Sequence, residues 1–246
     1  MAMYHVFSSS SISDLLIAIM CLSIVQCPLC TIAQNIDTTN DVYILCNVHK
    51  YENGDPFGDT LNTALAALQQ KSATGSLYYL LVDNASAPFM AGFQCRGDLS
   101  SDLCSQCVES ASQTVLSSCP NAIGSRVQKD GCFLRYENYT FAVPDTSIIT
   151  ELCNVDKNND SRFQAYVAQI VARVVSEAPN GHLPYSSATS PISSSNSSSA
   201  PSTLYALAQC LNYLSRSECS ECLSAHSSSW QDCDNAVGTQ IHSVSC

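Results

Sequence analysis

The spacing of the cysteines constrains this chain more than any other feature of its sequence. The pattern C-x8-C-x2-C occurs twice, and each copy lies within a larger set of six cysteines. The last gaps in the sets also agree, at 11 and 12 residues in the first and 10 and 12 in the second. Such agreement predicts a tandem repeat in which cysteine organises each unit. The two sets are Cys46, Cys95, Cys104, Cys107, Cys119 and Cys132, and Cys153, Cys210, Cys219, Cys222, Cys233 and Cys246.

The amino-terminal sequence indicates the cellular compartment to which the protein is directed. Residues 15–25 form an apolar run of the length of a signal-peptide core, too short to span a bilayer, and Thr31-Ile32-Ala33 offers a small-residue cleavage site. The alternative is a buried helix, because no basic residue precedes the run and Asp14 adjoins it. Cleavage after Ala33 would remove three cysteines and leave six in each repeat. We therefore expect a signal peptide at 1–33, a first domain at 34–148 and a second at 149–246.

Charge and motifs exclude several classes of function. The net charge of −11, with ten scattered basic residues, is opposite to what a nucleic-acid surface needs. No catalytic motif and no cofactor or metal signature occurs, so we expect a non-enzymatic protein without cofactors. No later segment is apolar enough for a membrane span, which predicts a secreted, extracellular chain. Four N-glycosylation sequons fit this expectation: Asn84, Asn138, Asn159 and Asn196.

Both repeats show the same order of predicted elements, which indicates an α+β unit with two helices on a small antiparallel sheet. A Ser-rich stretch at 186–202 of the second repeat is typical of a mobile loop and leaves that sheet reduced. In the first repeat we expect helices at 59–73 and from 101 or 102 to 116, and strands at 76–82, 89–95, 123–127 and 133–141. In the second we expect helices at 161–177 and 217–228 and strands at 203–210 and 236–244.

The chemistry of the cysteines has three possible readings. Cys104 and Cys107 form a CxxC motif, as do Cys219 and Cys222. A zinc site is disfavoured because the two motifs lie in different repeats, far beyond the usual 15–20 residues. A redox site is disfavoured because each repeat offers other disulfide partners. Structural disulfides fit best, although six cysteines allow 15 pairings and their spacing does not choose among them.

The chain resembles the stress-antifungal, or ginkbilobin-homologous, domain family of plant cysteine-rich secretory proteins and receptor ectodomains. The resemblance spans both repeats and includes the stretches CPNAIGSRVQ (119–128), CFLRYENYTF (132–141) and LYALAQC (204–210). It implies a secreted, apoplastic protein of two tandem domains, each with three disulfides. The implied pairs are Cys46–Cys119, Cys95–Cys104, Cys107–Cys132, Cys153–Cys233, Cys210–Cys219 and Cys222–Cys246.

The resemblance also implies a sugar site in the first domain. Mannose-binding ginkbilobin uses an Asn after the first cysteine, an Arg in the NAIGxRVQ stretch and a Glu five residues after the sixth cysteine, which match Asn47, Arg126 and Glu137. These types suit adjacent sugar hydroxyls, because Arg donates, carboxylate accepts and Asn does both. The alternative is structural: Arg126 and Glu137 form a surface ion pair and Asn47 caps a turn.

The second repeat departs from this pattern. Gln240 stands in the position of Arg126, and the sequence stops at Cys246, before the position of Glu137. We expect no sugar site there and a domain shortened at its carboxyl end. Two functions follow as expectations: a secreted, mannose-type carbohydrate-binding protein with a defence or antifungal role, or an apoplastic protein-interaction module without a sugar ligand. Disulfide exchange is the weakest alternative, because it requires free thiols.

Overall fold

The computed structural model describes residues 37–82, 88–158, 160, 162–192 and 202–246. It contains two consecutive domains, and each of them has two α-helices and antiparallel strands. The α+β fold class predicted from the sequence is therefore confirmed. The expected signal peptide, residues 1–33, lies outside the described residues.

The first domain has a single five-stranded antiparallel sheet. The strand order is β1-β4-β5-β3-β2, so that β5 lies in the centre and both β1 and β2 lie at edges. Helices α1 and α2 pack on each other and on one face of this sheet. The elements are β1 (Asp41–Cys46), α1 (Pro56–Ser72), β2 (Leu77–Val82), β3 (Phe89–Cys95), α2 (Ser101–Ser118), β4 (Gly124–Lys129) and β5 (Cys132–Glu137).

The helices of the first domain begin at capping side chains. The Asp55 carboxylate accepts a hydrogen bond from the Phe57 N–H at 2.8 Å, and Pro56 occupies the first helical turn. This cap explains why α1 begins earlier than the Asp59 predicted from the apolar spacing. The Ser100 hydroxyl similarly accepts from the Leu103 N–H at the start of α2.

The two faces of the first sheet have different chemistry. Alternate residues of a strand point to opposite faces. The inner face carries Phe93, Leu134 and Tyr136, which are buried against the helices in one apolar core. The outer face carries charged residues, including Arg126 and Arg135, which are directly opposite each other in the register of β4 and β5. The helices do not cover this polar face.

The second domain has two separate pairs of antiparallel strands instead of one sheet. β6 pairs with β9, and β7 pairs with β8. In the first domain the central strand β5 begins at Cys132, and the equivalent cysteine here is Cys246, the last residue of the sequence. The elements are β6 (Ile148–Cys153), α3 (Phe163–Glu177), β7 (Tyr185–Ile192), β8 (Ser202–Gln209), α4 (Arg216–Ala225) and β9 (Thr239–Ser243).

The prediction of a loop at 186–202 is wrong for all of its described residues, which are 186–192 and 202. Tyr185–Ile192 forms strand β7, which pairs with β8 along its whole length. Ala188 and Ile192 are buried against α3, while Ser187 and Thr189 face away from the core and are exposed. β7 tolerates Ser187 and Thr189 on its outer face because β8 satisfies the backbone hydrogen bonds of the strand. Residues 193–201 lie outside the described residues.

Every cysteine in the described ranges is in a disulfide. In the second domain α4 is bridged to Cys210, directly after β8, and to Cys246, while the 3-10 helix Ser229–Cys233 is bridged to β6. In the first domain the bridges join α2 to β3, to β5 and, from its carboxyl end, to β1. The helix thereby becomes the point to which the strands are attached. The six bonds match the pairing implied by the family resemblance: Cys46–Cys119, Cys95–Cys104, Cys107–Cys132, Cys153–Cys233, Cys210–Cys219 and Cys222–Cys246.

Candidate functional site

The three residues of the implied sugar site lie on the outer face of the first sheet. Arg126 is on β4, Glu137 ends β5, and Asn47 follows β1. Glu137 is paired in register with Gly124, and the Asn47 N–H donates to the Gly124 carbonyl at 2.8 Å. The fold therefore brings these residues, separated by up to 90 positions in sequence, to one region of the sheet.

Glu137 is buried and already paired. The residue is 8% exposed, and its Oε1 accepts a hydrogen bond from Arg135 Nε at 2.9 Å. The partner in this ion pair is thus Arg135, two residues earlier on the same face, rather than the Arg126 considered from sequence. The carboxylate lies over Gly124, where an added Cβ would collide with Glu137 Oε2. Glycine at this position makes room for the buried acid.

Arg126 is also buried, at 7% exposure, with its guanidinium carbon 5.9 Å from the centre of the Phe133 ring. Burial lowers the pKa of Arg126, and the nearby positive charge of Arg135 lowers it further. Burial raises the pKa of Tyr43 to about 12, an effect that the charges of Arg126 and Arg135 partly offset. Arg126 therefore lies in a largely desolvated, aromatic environment.

The chain after β5 folds back over the second arginine of this face. The Arg135 guanidinium carbon lies 4.4 Å from the centre of the Phe141 ring, and its NH2 donates to the Tyr139 hydroxyl at 3.0 Å. Phe141 is fully buried, whereas Tyr139 is half exposed. Arg135 therefore donates to both Glu137 and Tyr139, and its guanidinium lies over the Phe141 ring.

The second domain covers the outer face. The ring centres of Tyr79 and Tyr213 lie 6.0 Å apart, and those of Tyr43 and His242 lie 6.1 Å apart. Both pairs join side chains of different domains in edge-to-face contacts. The polar face of the first sheet is thus an internal surface between the domains.

Two glutamines hold the domains together in a reciprocal arrangement. Gln94 Nε2 donates to the Cys210 carbonyl at 2.8 Å, and its Oε1 accepts from the Asn212 N–H at 2.8 Å. Gln209 Nε2 donates to the Cys95 carbonyl at 3.0 Å, and its Oε1 accepts from the Gly97 N–H at 3.0 Å. Each buried amide therefore binds the backbone of the other domain at equivalent positions. We call this pair the glutamine latch.

The sequence interpretation did not identify the latch. Its only signal is that the same residue type precedes the second cysteine in both repeats, as Gln94-Cys95 and Gln209-Cys210. A glutamine in a predicted strand is ordinarily read as a solvent-facing residue. Its partners are backbone groups of the other repeat, which no local pattern reveals.

The contacts of Asn47 in the first domain are repeated by Asn154 in the second domain. Its Oδ1 accepts from the His49 N–H at 2.9 Å, just as Asn154 Oδ1 accepts from the Asp156 N–H at 2.8 Å. The backbone N–H of Asn154 likewise donates to the Gly238 carbonyl at 2.8 Å. Because the second domain has Gln240 in place of Arg126, these shared contacts do not depend on the sugar-type residues.

One of the four predicted N-glycosylation sites lies among the described residues. Asn138 is exposed directly after Glu137, while the other three sequons, Asn84, Asn159 and Asn196, lie outside the described residues.

Among the described residues, no three His, Cys, Asp or Glu side chains cluster in a way that could hold a metal ion. In the same ranges, no helix has both the length and the apolar composition that crossing a bilayer requires.

The chain is similar in sequence to plasmodesmata-located proteins and to ginkbilobin-like antifungal proteins. Plasmodesmata-located protein 8 of Arabidopsis thaliana is 27% identical over 213 residues, covering 83% of this chain and 71% of that protein. Antifungal protein ginkbilobin-like protein 1 of Picea glauca is 35% identical over 106 residues, covering 42% of this chain and 75% of that protein.

The crystal structure of the tandem DUF26 ectodomain of the Arabidopsis thaliana cysteine-rich receptor-like protein PDLP8 matches with a TM-score of 0.68. Its sequence is 28% identical, and the match covers 84% of this chain and 95% of that one. The family model described as salt stress response/antifungal matches residues 45–139 and again 152–246. The chain therefore belongs to the salt stress response/antifungal family and contains its domain twice in tandem.

Proposed function

We propose that the protein is an extracellular plant binding protein that recognises other proteins through the exposed edge strands of its two domains. One observation carries this proposal: apolar side chains are exposed at equivalent places in both repeats. They lie one residue before and two residues after the first cysteine of each set. These residues are Leu45 and Val48 in the first domain and Leu152 and Val155 in the second.

The exposed apolar side chains recur at equivalent positions of both domains, which supports a shared function for them. Val48 is 84% exposed and Val155 is 89% exposed. A single exposed apolar side chain is ordinary. Here the same side chains recur beside β1 and β6, which are strands at sheet edges. An edge strand also offers unpaired backbone groups to an incoming segment, so this surface suits a protein ligand.

The outer face of the first sheet supports the same conclusion. A sugar ligand needs polar side chains with free hydrogen-bonding capacity, but Arg126 and Glu137 are buried and Glu137 is paired with Arg135. These groups lie on the face of the first sheet that the second domain covers. The similar solved structure is the ectodomain of a receptor-like protein and has the same tandem arrangement. Extracellular location is further supported by the disulfides and the proposed signal peptide.

The test is a comparison of three proteins as bait for cell-wall and cell-surface extracts. Wild type is compared with the double variant Val48→Asp and Val155→Asp, and with the control Leu116→Asp, which places a charge at an exposed apolar position of α2. We expect a defined set of partners with wild type and the control that is lost with the double variant. Identical capture by all three folded proteins contradicts the proposal.

A second candidate function is recognition of mannose-type carbohydrate in a defence role. The observation in its favour is the collection of Asn47, Arg126 and Glu137 on one face, with the half-exposed Tyr139 at its rim. Glycan-array binding by wild type that is lost in Glu137→Gln and retained in Asn138→Gln is expected from this function. No binding by wild type, or equal binding by Glu137→Gln, rejects it.

A further inference from the structure

We propose that the first domain binds a small, uncharged phenol in a cavity beside the start of α1. The cavity has a volume of about 490 Å³ and lies between α1, the segment that leads into it and the neighbouring ends of β3, β4 and β5. Small-ligand sites typically have volumes of roughly 300–1,000 Å³, an apolar lining and a few polar groups. The inference is independent of the proposed function, because neither Val48 nor Val155 lines this cavity.

Three aromatic side chains form most of the apolar lining. The ring centres of Tyr51 and Phe57 lie 5.3 Å apart, and those of Phe57 and Phe89 lie 5.5 Å apart. Phe89 is fully buried, whereas Tyr51 and Phe57 are only half-buried, so part of these two residues remains accessible. An aromatic ligand would extend the cluster by further ring contacts. The lining is completed by the apolar residues Pro56, Pro88 and Ile123.

The backbone around Tyr51 fixes its position. The Tyr51 N–H donates to the Asn121 carbonyl at 2.8 Å. The ring lies against Gly58 of α1, where an added Cβ would be 3.0 Å from Tyr51 Cε2. Glycine is disfavoured within a helix, and at this position it makes room for the ring. Tyr51 therefore forms a defined wall of the cavity.

The second domain lacks this aromatic wall. Lys50 and Lys157 are equivalent residues, since each forms an isolated bridge to the segment that precedes the next strand of its domain. The residue after the lysine is Tyr51 in the first domain and Asn158 in the second. The lysine thus belongs to the fold that both domains share, whereas the aromatic lining is particular to the first domain.

The rim of the cavity carries one positive and one negative side chain. Lys50 Nζ donates to the Pro120 carbonyl at 2.6 Å, and an ammonium group has three N–H donors. Asp55 Oδ1 accepts from the Phe57 N–H at 2.8 Å, and a carboxylate has two acceptor oxygens. With the described residues neither side chain makes another hydrogen bond, so both retain capacity for a ligand.

A neutral phenol matches this combination of groups. Its hydroxyl can donate to the Asp55 carboxylate and accept from the Lys50 ammonium. The two rim charges have opposite signs and the chain carries a net charge of −11, so the site offers little attraction to an anion. An aromatic cation would be attracted by Asp55 but repelled by Lys50. The aromatic wall favours a ring over an aliphatic alcohol.

The test is a titration of the full chain with p-cresol, followed by the methyl NMR resonances of Ile123 and Thr60, which line the cavity. We expect saturable shifts of both resonances, with a dissociation constant on the order of 1 mM or lower. The methyl ether of p-cresol has no O–H donor and should bind at least about fivefold more weakly. Cyclohexanol keeps the hydroxyl but has no aromatic ring, and it should also bind more weakly.

Three variants locate the site. Asp55→Asn keeps a side-chain oxygen that can cap α1 but removes the charged acceptor, so p-cresol should bind about fivefold more weakly. The matched control Lys157→Gln changes the equivalent of Lys50 in the second domain and should bind like wild type. Thr60→Trp fills the cavity and should abolish the shift at Ile123, with unchanged circular dichroism showing that the variant is folded.

Two outcomes overturn the proposal. One is the absence of a saturable shift at Ile123 with p-cresol up to about 10 mM. The other is equal binding of p-cresol, its methyl ether and cyclohexanol, which would show association that depends on neither the hydroxyl nor the ring. Neither outcome affects the partner capture that tests Val48 and Val155, so the two proposals fail separately.

Discussion

The two domains share one cysteine framework but differ in their sheets. The first has five strands with β5 at the centre, whereas the second has two separate strand pairs. All three disulfides occur at equivalent places in both. In the first domain the bridges run from α2 and the residue after it to three strands, whereas in the second domain two bridges start from α4 and one from the 3-10 helix Ser229–Cys233. The comparison separates the contribution of the disulfides from that of the sheet.

Removing one equivalent disulfide from each domain should give the largest effect. Loss of a native bridge costs about 2–5 kcal/mol in a small domain. We expect the Cys222→Ala and Cys246→Ala pair to unfold the second domain, as seen by Trp230 fluorescence, because no strand of its described residues joins the two strand pairs. The matched pair Cys107→Ala and Cys132→Ala should leave the first domain folded but less stable by circular dichroism. Equal losses of stability in the two domains would show that the five-stranded sheet adds no stability beyond that of the disulfides.

The glutamine latch tests how far the domains support each other. Gln94→Ala and Gln209→Ala each leave two backbone groups of the other domain without their partners, which costs about 1–3 kcal/mol for each unsatisfied buried group. Denaturant unfolding should show one transition in wild type and two in the double variant. The control Gln70→Ala alters an exposed residue of α1 and should change little. A single unchanged transition in the double variant argues against coupling through the latch.

Alkaline pH should weaken the contact between the domains. Tyr43 has its pKa raised to about 12 in the folded protein, from 10.0, chiefly by burial. Its contribution is therefore complete below pH 10 and is lost as pH rises towards 12, because only the unfolded state has then released the proton. Tyr43→Phe should flatten this part of the unfolding free-energy profile, whereas Tyr205→Phe, at an exposed site, should not. An identical slope in all three proteins contradicts the assignment.

Glycosylation at Asn138 should have the smallest effect on stability. The side chain is exposed beside Glu137, so Asn138→Gln should alter the unfolding free energy by no more than about 0.5 kcal/mol. Mass spectrometry of the secreted wild type and variant measures whether the site carries a glycan. A large loss of stability in the variant would mean that the asparagine or its glycan packs against the first domain.

Much of the fold could be predicted because the cysteines align the repeats and the helices have clear apolar periodicity. α3, for example, begins and ends within two residues of its predicted bounds. β7 was missed because serine and threonine have the composition of a loop, whereas burial of Ala188 and Ile192 depends on α3 and β8. Strand formation there is decided by tertiary contacts rather than by local preference.

The candidate site was less predictable than the fold. The family resemblance predicts a site at Arg126 and Glu137, and the register of the sheet brings these two residues to one face. It could not show that the second domain covers them, because that cover depends on side chains such as Tyr213 and His242 from the other repeat. Contacts between repeats leave no periodic signal in the sequence.

Native-state amide exchange tests the central comparison most directly. The equivalent strands β3 (Phe89–Cys95) and β8 (Ser202–Gln209) are measured in the same sample by mass spectrometry. β3 has strand partners on both sides, and β8 has one among the described residues. We predict substantially slower exchange in β3 than in β8. Equal protection of the two strands would contradict the difference in strand pairing between the two domains.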